Sequence, residues 1–102
     1  MTSKQFKSEI ERLKKLSGIK LTRAQLAALL GYSSTQTVLR KINGSMPVNY
    51  TDEIILDMLF RMAHRKKVLA QHVESKKDVS REIAAKQAKY IRSYRHKKAN
   101  QI

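Results

Sequence analysis

The chain has 102 residues, 22 of them Lys or Arg against 8 Asp or Glu, for a net charge of +14, and it has no cysteine. That length suits one domain plus an extension, and the charge favours polyanionic partners, nucleic acid first and an anionic membrane second. Without cysteine, disulfides and thiolate metal sites are excluded, and no apolar run approaches the ~20 residues that span a bilayer.

The pattern along the chain predicts an all-α protein. The opening segment, MTSKQFKSEIERLKK, is too charged for a secretory leader. It suits an amphipathic helix over about residues 3–16, with Phe6, Ile10 and Leu13 on one face. The glycines Gly18, Gly31 and Gly44 fall where the first three helices should end. A second helix follows Thr22, which can cap it in a box closed by Gln25, with Leu21 and Leu26 as the hydrophobic staple. Leu26, Ala27, Leu29 and Leu30 supply its apolar face, and Ala27 is small enough for a second helix to cross closely. Gly31 stands where the backbone must turn left-handed. A third helix then opens at Ser33 and Ser34, turns Val38 and Ile42 inward and stops at Asn43 and Gly44. A connection through Ser45, Met46 and Pro47 leads to a fourth helix from near Thr51. Asp52 and Glu53 suit the positive end of its dipole, and Tyr50 with Ile55 offers another staple. Ile54, Ile55, Met58, Leu59 and Met62 are its expected buried stripe, and it is expected to run on through His64 and Val68 to about Val73.

Beyond residue 60 the balance changes. Residues 61–102 carry +10 of the total and residues 1–60 the other +4, which divides the chain into a domain over 1–63 and a basic, largely helical extension over 64–102. A polar break, ESKKDVS, precedes a last helix that Asp78 or Ser80 can cap. Ile83, Ala84, Ala88, Ile91 and Tyr94 give that helix an apolar stripe too thin to fold alone, so it must pack on the domain, on its twin or on a partner.

The chemistry concentrates between Leu21 and Gly44, LTRAQLAALLGYSSTQTVLRKING. The outward residues of the third helix, Thr35, Gln36 and Arg40, can bond to base edges or phosphates. Gln36 can pair bidentately with adenine, or it can turn inward as a capping-box partner of Ser33. Arg40 suits guanine or phosphate. His64, His72 and His96 have no helical partner to form a metal site. The acids Asp52, Glu53 and Asp57 are explained by the helix dipole rather than by catalysis, with Glu53 and Asp57 mildly repulsive and solvent-exposed. Met46, Met58 and Met62 read as core filler. No serine has a credible base and no glycine loop cradles phosphate, so the chain is not expected to be an enzyme and no cofactor or metal is expected.

The residues LTRAQLAALLG, then Val38 and Ile42, then Asn43-Gly44 followed closely by Pro47, resemble the helix-turn-helix of the lambda-repressor-like (Cro/Xre) family, mostly prokaryotic and phage transcription regulators. The stretch from Pro47 to the acidic helix start also resembles small phage-type regulators, including anti-CRISPR-associated repressors. The resemblance covers Phe6 to Met62. It implies a compact four- to five-helix domain that inserts its third helix, about residues 34–42, into the major groove of double-stranded DNA as a homodimer. Base contacts would fall to Ser34, Thr35, Gln36, Thr37 and Arg40. Backbone phosphates would pass Thr22, Arg23, Lys41, Asn43 and Ser45. The GYSS turn is one residue longer than the common pattern, which leaves the register of the reading positions open by one.

The basic extension has no counterpart in the minimal family domain. Its helix can pair with its twin or lie on flanking phosphates through Arg92, Arg95, Lys97 and Lys98, and repulsion between two such helices favours the phosphates. Dimerisation would then fall to the fourth helix and the start of the extension. Tyr90 and Tyr94 can stack on bases or pack in a seam. The resulting expectation is a cytoplasmic, nucleoid-associated repressor or autorepressor of a bacterial cell or phage-infected host, with no small-molecule ligand and no membrane. Two other readings stand beside it: an antitoxin-like DNA-binding protein whose tail holds a partner protein, and a nucleic-acid binder without sequence preference.

Overall fold

The computed structural model describes the backbone of residues 1–100 and the side chains of residues 1–89 and Ile91. The described residues form six helices and no strand: α1 Ser3–Ser17, α2 Arg23–Leu30, α3 Thr35–Asn43, α4 Tyr50–His64, α5 Lys66–Ser75 and α6 Lys77–Asn100. None of these helices is long and apolar enough to cross a membrane.

The first two helix starts are closed by reciprocal capping boxes. Thr2 and Gln5 close α1, and Thr22 and Gln25 close α2, each threonine accepting the glutamine's N–H while the glutamine side chain accepts the threonine's. These satisfy two orphan donors per helix. Leu21 and Leu26 are both buried, as the staple requires. Helix α2 ends on Gly31 with φ +81°. The N–H of Tyr32 reaches the carbonyl of Ala27 and that of Gly31 the carbonyl of Ala28, the paired bonds of a Schellman stop. The next residue can then set off towards α3.

Phe6, Ile10 and Leu13 of α1 meet Leu21, Leu26, Leu29 and Leu30 around α2 and Leu56, Leu59 and Ala63 of α4 in the main core. A second cluster joins Ala24, Ala27 and Ala28 of α2 to Val38 of α3 and Ile83 of α6. The alanines let both α3 and α6 approach α2 closely.

The region after residue 49 departs from expectation in three ways. Helix α4 starts at Tyr50 on an Asn49 cap, within a residue of the expected start, but Tyr50 is exposed instead of stapling Ile55. Its inward line is Asp52, Leu56, Leu59 and Ala63, rotated from the expected stripe, so that Ile54 and Met58 face solvent and Met58 is not core filler. The helix also stops at His64 rather than running to Val73, because Arg65 takes a non-helical backbone with φ −112° and ψ 80°. That bend sends Leu69 of α5 fully into the main core. The break before the last helix narrows to Lys76, and neither proposed cap forms: Ser80 lies inside α6 and donates its hydroxyl to the Lys77 carbonyl. Leu69 of α5 joins the main cluster and Ile83 of α6 the second, so both helices beyond residue 64 pack against the first four.

Candidate nucleic-acid interface

Helix α3 has one side locked into the protein and one side free. Val38 is fully buried and Ile42 half-buried on the inner side. Arg40 and Asn43 are exposed, and Gln36 and Thr37 half-exposed, on the other. Gln36, Arg40 and Asn43 are spaced i, i+4, i+7 and therefore share one face. Leu39 is exposed at the edge of that face. A sequence reading passes over it because an apolar residue in a helix reads as core.

The start of α3 is capped by Ser34, whose hydroxyl accepts the Gln36 N–H at 3.2 Å. The capping box between Ser33 and the Gln36 amide does not form, and that amide has no hydrogen bond to the described residues. That bond takes up one of the two lone pairs of the Ser34 hydroxyl, which keeps its proton and a second lone pair. At the far end, the Asn43 side-chain oxygen accepts the Ser45 N–H at 2.9 Å. This Asx-type bond shapes the turn and leaves the Asn43 amide donors outward. Thr22 and Arg23 are exposed at the start of α2.

Two expected contacts are corrected. Thr35 is only 2% exposed, closed in at the foot of the cleft where α6 crosses the start of α3, and does not present its side chain to a duplex. Lys41 is 4% exposed and points into the protein instead of towards a phosphate. Its ammonium donates to Asp52 Oδ2 and lies 4.6 Å from the centre of the Tyr32 ring. Asp52 also accepts the Tyr32 hydroxyl at 2.5 Å and the Asn49 N–H at 3.0 Å. Two of its partners, Tyr32 and Lys41, thus tie the turn before α3 and the body of α3 to the start of α4.

This triad was the feature least visible in the sequence. A carboxylate in the first turn of a helix is ordinarily a dipole partner, and a lysine flanking an arginine on a short helix ordinarily faces water. The signal lay in the i, i+3 relation of Lys41 to Val38, which puts the lysine on the buried side. Burial by itself would raise the Asp52 carboxyl. Hydrogen bonds from Lys41, Tyr32 and the Asn49 amide, together with the lysine's charge, bring it below the ordinary carboxylate range. The Tyr32 phenol is pushed up strongly, by burial first and then by the hydrogen bond and charge of Asp52.

Helix α6 brings further polar groups to the same place. Lys86 and Gln87 share a cleft with Ser34, Thr35, Gln36 and Ile83, and Lys77 and Arg81 border Thr22 and Gln25 at the start of α2. Composition marked the extension as basic but could not place it beside both helix starts. Arg92, Arg95, Lys97 and Lys98, read as phosphate contacts, and the aromatic pair Tyr90 and Tyr94 lie outside the described side chains. Among the described residues no three His, Asp or Glu side chains gather in a metal-binding group. Comparison of the chain with protein families, with curated proteins and with solved structures gives no match in any of the three.

Proposed function

We propose that this chain is a sequence-selective DNA-binding regulator of transcription, acting as a repressor, with α2 and α3 as a lambda-repressor-like helix-turn-helix. The observation that carries this reading is the free side of α3: Gln36, Thr37, Arg40 and Asn43 on a helix whose other side is fixed by Val38 and the Lys41–Asp52 pair. An amide that pairs with adenine and a guanidinium that pairs with guanine or phosphate are spaced one turn apart. Holding them on a locked helix lets discrimination between bases exceed the looseness of the reading side chains.

The surroundings support the same ligand. Neither α2 nor α3 has an acidic residue in its first turn, so no carboxylate competes there for a phosphate. Thr22 and Arg23 at the start of α2, and Asn43 and Ser45 after α3, would meet the sugar–phosphate backbone. Lys86 beside Gln36 would add charge without reading sequence. Binding by charge alone, without sequence preference, is the competing reading that the +14 charge favours.

Selection of bound duplexes from a random pool separates the two. A specific binder enriches a half-site and resists bulk competitor DNA by a factor of about a thousand or more. Gln36→Ala with Arg40→Ala, both outside the core, should keep the helical signal and lose about 10- to 1,000-fold in selectivity. Enrichment of no motif, or unchanged selectivity in the double variant, overturns the proposal.

A further inference from the structure

The cleft between the start of α3 and the passing α6 holds more hydrogen-bond donors than the packing of the two helices uses. Its walls are Ser34, Thr35 and Gln36 on one side and Ile83, Lys86 and Gln87 on the other, around a volume of about 190 Å³, several times the ~30 Å³ share of one water. Ile83, Lys86 and Gln87 are spaced i, i+3, i+4 and so face it together. Thr35 is buried, yet its hydroxyl makes no hydrogen bond to the described residues, and the little surface it keeps opens into the cleft.

Chemistry selects what such a cleft takes. Apart from Ile83, every lining side chain can donate a hydrogen bond, and none is a carboxylate. The start of α3 adds the positive end of a helix dipole, with no acidic residue in the first turn to offset it. Lys86 has no ion-pair partner among the described residues. Donors that converge from two helices suit a tetrahedral oxyanion better than a planar carboxylate. The oxyanion must also be small. A phosphodiester in a duplex carries a sugar on either side and does not reach a hydroxyl beneath a crossing helix.

We infer that the α3–α6 cleft binds a small phosphate-type dianion, either inorganic phosphate or the terminal phosphate of a small metabolite. The Lys86 ammonium supplies the charge, and the Thr35 and Ser34 hydroxyls donate from the start of α3. Motif spacing holds no sign of this site, because it forms only where Ile83 docks α6 against the alanines of α2. The site does not use the DNA reading. Where that reading holds, an ion in the cleft engages Lys86 and Gln36 and competes with the duplex, so phosphate acts as a negative effector; this consequence alone rests on the reading.

Titration of the full chain with sodium phosphate at fixed ionic strength, followed by amide nuclear magnetic resonance shifts, tests the site. Shifts should saturate with a dissociation constant of about 0.1–10 mM and centre on residues 34–37 and 86–87. Acetate at the same ionic strength should bind at least about tenfold more weakly, having one charge and two oxygens. Lys86→Gln, an exposed change, should weaken phosphate about tenfold or more, and Thr35→Val should weaken it too if its helical signal is intact. Lys14→Gln, exposed among the lysines at the end of α1, should leave binding unchanged. Glycerol phosphate distinguishes the two sources, binding more tightly than phosphate if a metabolite is the ligand and more weakly if the free ion is. Shifts that spread over the lysines without saturating overturn the inference. So does parental affinity in Lys86→Gln, equal binding of acetate, or a cleft that responds to duplex DNA and not to phosphate. The selectivity of the Gln36→Ala, Arg40→Ala variant is a separate measurement, so either reading can fail alone.

Discussion

Replacing Lys41 by methionine should be among the most damaging single changes in this chain, and the reason is the partner it leaves behind. Asp52 is 2% exposed and draws on Lys41 as the cation that offsets its burial. Methionine fills much the same volume but strands the carboxylate, and removing one member of a buried ion pair costs about 3–5 kcal/mol. For a domain of this size a total stability of about 5–15 kcal/mol is ordinary. The loss should lower the melting temperature by roughly 12–40 °C, taking about 4–8 °C per kcal/mol. Asp52→Asn reverses the problem and strands the ammonium. Combining both substitutions leaves neither charge unpaired, so the double variant should be more stable than Lys41→Met alone. Urea unfolding followed by far-UV circular dichroism gives the three differences. If Lys41→Met costs less than about 1 kcal/mol, or the two effects add within ~0.5 kcal/mol, the pair is not coupled and the account of how α3 is held is wrong.

Four further outcomes follow from the same structure. The folded-state Asp52 carboxyl lies below its ordinary value, so its contribution is present above about pH 4 and fades as pH falls through the carboxylate range; the stability gap between wild type and Asp52→Asn should narrow in acid. Tyr32 is shifted the other way, so its contribution holds below about pH 10 and is lost as pH rises, and ultraviolet titration should show one of the four tyrosines ionising later than the rest. Ile83, 3% exposed against Ala24, Ala27, Ala28 and Val38, should cost about 2–5 kcal/mol on truncation to alanine, with hydrogen exchange rising first in α6; protection unchanged along α6 would contradict its docking. Gly31→Ala meets no atom within 4 Å but must hold φ +81°, so a loss of about 1–2 kcal/mol, visible as a lower urea midpoint, is expected from backbone strain alone.

Local rules carried the reading of the first half of the chain. Thr22, Gln25, Leu21, Leu26 and Gly31 each act within a few residues of themselves, so capping, stapling and the left-handed stop could be assigned from spacing. The errors share a different origin. The rotation of α4, the burial of Lys41 and the enclosure of Thr35 depend on partners 11 or more residues away. A polar residue that satisfies another polar residue deep in the fold looks, in sequence, like one that satisfies water. The bend at Arg65 is of the same kind: nothing local forbids continuing the helix, but Leu69 gains full burial only if the helix turns. On the exposed side of α3, Gln36 and Arg40 were legible as outward polar residues. Lys86 and Gln87 were not, because they reach α3 only through the packing of Ile83 against the alanines of α2.

The seclusion of the Lys41–Asp52 pair separates two kinds of electrostatics in one small molecule. Counterions cannot gather around charges that water does not reach, whereas the lysines and arginines spread over the outside lie open to them. Raising the ionic strength should therefore strip away any bound polyanion long before it loosens the helices, so that release is clean and the chain remains ready to bind again when the salt is lowered.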